Sequence, residues 1–258
     1  IFRILNLINI FKKIDILFEC KTETIRSIKN GISQKFERMF PYFKISYFRK
    51  IIRINSIFYD YYINSLPIKK KIKNQILYID VPFDHPDRIL REGNLDHNQS
   101  EIYYENIKNL LYCLSKKYNS KVVVGLHPLN KKIKKKFSNF IISKERTIDC
   151  IKKSKIIVVT HSSLIPIAIL FKKKVILIHS TLLGDYHNGL NKKYQKGLHL
   201  PSLNLDEDFK NLDKKKLNRE IKKSFSYQKK FIKKNLYSIP NKKSCDQIIE
   251  SIKKEFFN

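Results

Sequence analysis

A polar quartet follows a strongly apolar stretch of this chain. Ile156–Val159 is a continuous run of β-branched residues, which is typical of a strand buried on both faces of a parallel sheet. Residues 160–163 (THSS) come next, followed by a short apolar segment that carries Pro166, a residue tolerated near the first turn of a helix. Ligands of open α/β sheets bind where strands end and helices begin, so the serine hydroxyls could bind a phosphate. They could equally serve only as caps of the helix.

A second strand is predicted upstream, and a histidine follows its carboxyl end. Residues 121–126 (KVVVGL) read as a buried strand that runs directly into His127. Since parallel strands end at one edge of their sheet, His127 could lie over the same crevice as the quartet. An imidazole beside hydroxyls can bind a phosphodiester and protonate a leaving phosphate oxygen, although a single histidine is more often structural. The predicted phosphate-binding set is His127, Pro128, His161, Ser162 and Ser163.

The elements around these strand ends alternate between strand and helix. Residues 75–82 (QILYIDVP) predict a first strand, and a helical stripe that includes Ile102 and Leu114 follows a long polar loop. This alternation predicts an α/β fold with a Rossmann-type parallel sheet in a domain over residues 76–258. Residues 181–209 show no pattern that assigns them to an element.

Residues 1–75 differ from the rest and are predicted to be a partial, mostly helical amino-terminal region. Apolar residues at three- and four-residue steps between Ile25 and Phe40 indicate an amphipathic helix. Residues 42–66 interleave tyrosine and phenylalanine with lysine and arginine, a pattern that could lie on a membrane surface or stack on bases. It is more typical of a core-facing helix with a basic outer face. The sequence begins at Ile1, so we expect the natural amino terminus to lie further upstream.

The net charge of +30 suggests an anionic partner, either nucleic acid or a membrane surface. However, the excess divides into +11 before residue 76 and +19 after it, and no nucleic-acid recognition motif is present. A merely solvated lysine surface explains the charge at least as well, because the composition matches AT-rich codons. The four cysteines lie far apart without a C-x-x-C pair, which favours a reducing cytoplasm, and the sequence has no metal-ligand cluster.

The two strand-end motifs resemble those of a known family. The segments IYYENIKNLLYCLSKKYNSKVVVGLHP and SKIIVVTHSSLIPIAILFKKKVILI are similar to the carboxyl-terminal half of bacterial surface-polysaccharide glycosyltransferases of the two-domain GT-B fold. Sialyl- and polysialyltransferase-like members of that group use CMP-activated sugars and carry a His-Pro motif and a later Ser/Thr motif. The resemblance covers roughly residues 76–180. It implies that residues 1–75 belong to an acceptor-side domain and that the downstream domain binds a nucleotide sugar.

The resemblance also implies roles for single residues. His127 would contact the donor phosphate and act as general acid, while Ser162 and Ser163 would bind that phosphate. The family supplies its general base from an acidic-acidic-Gly motif, and the nearest match, residues 91–93, has arginine at its first position. The predicted base is therefore one of Glu92, Asp84 and Asp87.

The expected function is transfer of a sugar from a nucleotide-activated, CMP-linked donor to a glycan or glycolipid acceptor in capsule or lipopolysaccharide biosynthesis. Phosphate binding by a helix amino terminus would make the reaction independent of metal and cofactor. The expected location is the cytoplasm, peripherally at the inner face of an anionic membrane. The alternatives are a basic nucleic-acid-binding protein and an inactive GT-B-like fragment.

Overall fold

A computed structural model describes residues 14–20, 48–66, 72–83, 97–128, 130–237 and 239–257 of the chain. In chain order the strands and α-helices are β1 (Ile14–Cys20), β2 (Phe48–Ile54), α1 (Ile57–Ile63), β3 (Gln75–Ile79), α2 (His97–Tyr118), β4 (Lys121–Gly125), β5 (Ile141–Ile142), α3 (Thr147–Lys153), β6 (Ile156–Val159), α4 (Ile165–Leu170), β7 (Lys174–His179), α5 (Gly184–Leu198), β8 (Ser202–Asn204), α6 (Lys214–Phe231) and α7 (Ser244–Phe256). The described residues also form two 3₁₀-helices, Lys131–Phe137 and Thr181–Leu183, and a π-helix, Ile232–Leu236.

The chain divides into two compact units, one of Ile1–Asn64 with Lys233–Asn258 and one of Ser65–Ile232. This grouping differs from the predicted boundaries, which placed the last residues with the second region. Hydrogen bonds explain the difference: the backbone N–H of Ser56 donates to the carbonyl of Leu236 at 2.9 Å. The buried Asn55 amide donates to the carbonyl of Ile239 at 2.7 Å.

The first unit contains strands where a mostly helical region was predicted. β1 and β2 pair in parallel, from Ile14 opposite Phe48 to Cys20 opposite Ile54. Isoleucine and phenylalanine favour the extended backbone of a strand once a partner strand is present, and this tertiary pairing outweighs the local helical pattern. The amphipathic helix predicted between Ile25 and Phe40 lies outside the described residues.

The second unit confirms the predicted parallel sheet. Its six strands lie in the order β5-β4-β3-β6-β7-β8, and every neighbouring pair is parallel. Counted from β3 as the first strand, this is the doubly wound order 3-2-1-4-5-6 of a Rossmann-type α/β fold. β6 is buried at all four positions, as its continuous β-branched sequence predicts.

Helix α2 packs one apolar stripe onto this sheet. Tyr103, Ile107 and Leu114 are fully buried at helical spacing. Ile102 was predicted to share the stripe but is 52% exposed, because it lies one position to the side of the buried face. Helix α5 and strand β8 occupy the stretch that the sequence left unassigned, since its glycines, asparagines and histidines obscure any apolar period.

Candidate functional site

The strand order of the second unit reverses between β3 and β6, which are direct neighbours. In open α/β sheets, ligands bind at the carboxyl ends of the strands beside such a switch point. A cavity of about 500 Å³ opens there, within the range of about 300–1,000 Å³ that is typical of small-ligand sites. We call it the switch-point cavity. All five predicted phosphate-binding residues line it, namely His127, Pro128, His161, Ser162 and Ser163.

A buried carboxylate holds the backbone of His127 in this cavity. Asp80, which directly follows β3, is 2% exposed, and its Oδ2 accepts the N–H of His127 at 3.2 Å. The same oxygen accepts the side-chain amide of Asn130 at 2.9 Å. The backbone N–H of Asn130 in turn donates to the carbonyl of His127 at 2.8 Å. His127 is therefore fixed through both its N–H and its carbonyl.

Tyr104 of α2 completes this buried network. Its hydroxyl oxygen accepts the Asn130 amide at 2.9 Å and the backbone N–H of Phe83 at 3.3 Å. Burial, followed by the nearby charge of Asp80, raises the pKa of Tyr104 well above its ordinary value. The phenol therefore stays neutral at physiological pH and remains a hydrogen-bonding group. The sequence analysis missed Asp80, Tyr104 and Asn130, although the position of Asp80 at a strand end was a usable signal.

The two serines of the quartet differ in their surroundings. The hydroxyl oxygen of Ser162 accepts the N–H of Leu164 at 3.1 Å, and its carbonyl accepts the N–H of Ile165 at 3.2 Å. Pro166 has no N–H, so the start of the six-residue helix α4 offers fewer free donors than the sequence analysis expected. Ser163 is exposed, and no hydrogen bond joins its hydroxyl to another described residue. Ser162 thus shapes the turn, and Ser163 presents a hydroxyl to the cavity.

We expect different effects from removing these two hydroxyls. Ser162→Ala should lower the free energy of unfolding by about 1 kcal/mol, because it removes the acceptor of the Leu164 N–H in the turn before α4. Ser163→Ala should leave stability unchanged and weaken the binding of a phosphate-containing nucleotide by about 1 kcal/mol, if one hydrogen bond is lost. Melting temperature and CMP and UDP affinity, measured side by side for both variants, check this. Reduced stability with unchanged affinity in both would mean that the serines are only structural.

His161 contacts a second histidine that the sequence analysis did not assign. Nε2 of His161 lies 2.8 Å from Nδ1 of His187 on α5, and the ring centroids are 4.2 Å apart. A hydrogen bond between two imidazoles needs one N–H and one lone pair, so at least one ring in the pair is neutral. His187 is 8% exposed and comes from a distant part of the sequence. Its contact fixes the orientation of His161 at the cavity wall.

Arg146 brings a positive charge to the same cavity. It precedes α3, its side chain is 85% exposed, and its Nε donates to Asp149 at 3.0 Å. A guanidinium can bind a phosphate through two parallel N–H donors. Neither the predicted strand ends nor their motifs include this residue, because it lies at a loop-to-helix junction of a separate segment.

Replacing Arg146 by glutamine is expected to weaken nucleotide binding about five- to tenfold, because a charge-assisted contact at an exposed position is lost. Titration of CMP and UDP by calorimetry measures the change. Lys155→Gln is the matched control, since Lys155 is exposed and immediately precedes β6 at the other edge of the sheet. Equal losses in both variants would show that Arg146 acts only through overall charge.

The three candidate bases, Asp84, Asp87 and Glu92, lie outside the described residues, as do residues 91–93. Their roles therefore stay predictions. In the described part of the chain, no group of three His, Cys, Asp or Glu side chains is placed to hold a metal ion. Nor does any helix within those ranges have the length and apolar character needed to span a membrane.

A larger cavity lies elsewhere among the described residues, at the amino ends of β3 and β4. It has a volume of about 1010 Å³ and is lined by several lysines, among them Lys116 and Lys121. Parallel sheets bind ligands at the carboxyl edge, and the predicted chemistry lies there too. We therefore take the smaller switch-point cavity as the candidate functional site.

Comparison with known proteins gives no family: no family model matches the chain, and no curated protein matches it. Among solved structures, the UDP-GlcNAc 2-epimerase of Methanocaldococcus jannaschii, in complex with UDP-GlcNAc and UDP, is 13% identical with a TM-score of 0.45, covering 79% of this chain and 55% of that chain. A variant of the wall teichoic acid polymerase TagF is 15% identical with a TM-score of 0.46, and the match covers 95% of this chain and 60% of that chain. The same polymerase soaked with CDPG is 18% identical with a TM-score of 0.39, and the match covers 77% of this chain and 48% of that chain.

This chain spans about half to three fifths of the length of the chains in those three structures. At such identities and TM-scores, the fold is assigned from the strand order and register of the chain itself.

Proposed function

We propose that this protein is a glycosyltransferase whose switch-point cavity binds the phosphate of a nucleotide-activated sugar. The observation that carries the proposal is the convergence of His127 and Ser163 on one cavity from two separate strand ends. Arg146 adds a cation to the same wall. An imidazole, a hydroxyl and a guanidinium are the groups that bind and stabilise a leaving phosphate.

The proposed reaction is displacement at the anomeric carbon of the donor sugar. A carboxylate, with Glu92, Asp84 and Asp87 as the candidates, takes the proton of an acceptor hydroxyl, whose oxygen forms the new glycosidic bond. The bond between the sugar and the phosphate breaks, and His127 donates a proton to the departing phosphate oxygen. Arg146 and Ser163 stabilise the negative charge that develops there. The protein side chains alone account for these steps, so the proposed reaction uses neither metal nor cofactor.

The finer features of the proposal come from the resemblance of residues 76–180 to surface-polysaccharide glycosyltransferases. The donor is CMP-linked, and the acceptor is a glycan or glycolipid of a bacterial capsule or lipopolysaccharide. The protein acts in the cytoplasm, peripherally at an anionic membrane. The many exposed lysines of α6 and its surroundings favour such membrane contact.

A panel of free nucleotides tests the proposed function. A nucleotide that binds only the folded state, and not the unfolded chain, raises the stability of the protein by about 2.7 kcal/mol at a concentration of 100 times the Kd. We expect CMP to raise the melting temperature more than UDP does. A larger increase with UDP would assign the protein to a different donor class. No increase with either nucleotide would favour the alternative that the chain is an inactive GT-B-like fragment.

Nucleic-acid binding is the second candidate function, favoured only by the net charge of +30. We expect affinity for duplex DNA or RNA to stay in the nonspecific range of about 10⁻⁴–10⁻⁶ M at physiological salt, because the charge is dispersed along the chain. Fluorescence anisotropy at two salt concentrations measures this. Nanomolar, sequence-dependent binding at physiological ionic strength would contradict the glycosyltransferase proposal.

A further inference from the structure

Helix α7 of the first unit turns a polar side inward. Gln247 is 3% exposed, and its Oε1 accepts the backbone N–H of Asn55 at 3.1 Å. Its Nε2 donates to the carbonyl of Lys242 at 3.2 Å. A helix that packs on a protein core normally buries its apolar stripe and leaves its polar side in water. The hydrogen bonds of Gln247 fix α7 in the opposite orientation.

The apolar side of α7 is exposed and forms a continuous stripe. Its members recur at steps of four, three and four residues and so share one face, namely Cys245, Ile249, Ile252 and Phe256. All four are exposed, and the exposed fraction reaches 52% for Ile249 and 58% for Phe256. We call these four residues the outer stripe. A contiguous exposed apolar patch marks a contact site, and this spacing is the one by which two helices pack along a seam.

Two residues of opposite charge, Asp246 and Lys253, border the outer stripe on one side. Each directly follows a member of the stripe, and they lie one seven-residue repeat apart, so they occupy equivalent places along its edge. Both are exposed, and no ion pair joins either of them to another described residue. Glu250 of the same helix, in contrast, pairs with Lys242. The two charges at the edge of the stripe are therefore available to a partner.

We infer that the outer stripe binds the outer stripe of a second copy of this chain, with the two α7 helices antiparallel. In this arrangement Ile249 lies against Ile252 of the partner subunit, and Cys245 lies against Phe256 of the partner subunit. A two-fold axis repeats each contact, so the interface closes on itself as a dimer. Every member of the stripe thereby gains an apolar neighbour, which removes its exposed surface from water.

The charges at the edge of the stripe favour this partner and this orientation. Antiparallel pairing places Asp246 beside Lys253 of the partner subunit, and the two-fold axis makes this contact twice. A parallel pair would bring Lys253 to Ile248 of the partner subunit and would form no charge pair there. An anionic membrane fits the stripe less well, because Asp246 would face headgroups of its own sign. Since one helix per copy is a small contact against the about 1,200 Å² of a standard interface, the dimer is expected to be weak.

Analytical ultracentrifugation of the full chain over a range of concentrations tests the inference. We expect the mean mass of the wild type to rise with concentration toward twice that of one chain. Asp246→Lys and Lys253→Asp should each weaken dimerisation about tenfold, because two attractive contacts become repulsive. An equimolar mixture of these two variants should restore it, since each variant then meets the opposite charge. Lys254→Asp is the matched control, because Lys254 is exposed on α7 away from the outer stripe and should leave dimerisation unchanged.

Ile252→Glu should abolish the dimer and leave the melting temperature close to that of the wild type. A wild type that stays monomeric at every concentration would overturn the inference. In that case a lowered melting temperature of Ile252→Glu would show that the chain covers its own stripe, and loss of binding to anionic phospholipid vesicles in that variant would assign the stripe to a membrane. A wild-type dimer that Lys253→Asp and Lys254→Asp weaken equally would also overturn it, because the contact would then lie elsewhere.

Discussion

Replacing His127 by alanine is expected to lower the rate of sugar transfer by about 100-fold or more, because a positioned general acid contributes on that scale. The residue is half-buried, and its backbone N–H and carbonyl are both hydrogen-bonded, contacts that alanine retains. The fold should therefore survive the change, with the melting temperature close to that of the wild type. Release of the nucleotide from CMP- and UDP-sugars in the presence of a glycan acceptor measures the rate.

His127→Gln distinguishes proton transfer from simple hydrogen bonding at this position. Glutamine retains an N–H donor but cannot release a proton to the phosphate. Nucleotide affinity should therefore be higher in His127→Gln than in His127→Ala, while the rate of sugar transfer stays low in both. A rate in His127→Ala within about threefold of the wild type would remove His127 from the proposed mechanism.

Replacing Asp80 by alanine should have the largest effect on stability, lowering the free energy of unfolding by about 2–4 kcal/mol. The substitution leaves two donors without their acceptor, the backbone N–H of His127 and the amide of Asn130. Asn130 is itself 7% exposed, so water cannot readily replace the lost partner. Denaturant unfolding at neutral pH measures the change. Nucleotide affinity should fall as well, because the backbone of His127 loses an anchor.

Asp149→Ala is the control for Asp80→Ala. Asp149 pairs with Arg146 and Lys152 at the surface, where ion pairs contribute about 1 kcal/mol or less. A similar destabilisation in the two variants would show that the Asp80 network does not hold the site together.

The parallel sheet could be predicted from sequence because its central strands are continuous apolar runs. Ile156–Val159 and the KVVVG segment Lys121–Gly125 can be stable only when covered on both faces, and that requirement defines a doubly wound sheet. The strand ends then fix which side chains meet, since all six strands are parallel. This reasoning placed His127 and the quartet at one edge without any knowledge of the loops.

The remaining parts of the site depend on contacts between segments far apart in the chain. Asp80 meets Asn130 across 50 residues, and His161 meets His187 across 26. The apolar periodicity of the sequence gives no information about contacts between such distant residues. Helix α5 was missed because two of its buried positions are the polar residues His187 and Asn191, so no apolar period marks the helix. The strands of the first unit were missed because β1 and β2 are stabilised by each other rather than by their own sequence pattern.

The central claim, that the switch-point cavity is a nucleotide-sugar site, is tested most directly by calorimetric titration of CMP and UDP. The titrations use the wild-type chain and the double variant Arg146→Gln, Ser163→Ala, whose two side chains line the cavity without belonging to the buried network. We predict that the wild type binds CMP more tightly than UDP and that the double variant loses at least tenfold in affinity at an unchanged melting temperature. Binding of neither nucleotide by the folded wild type, or equal affinity in the wild type and the variant, would contradict the claim.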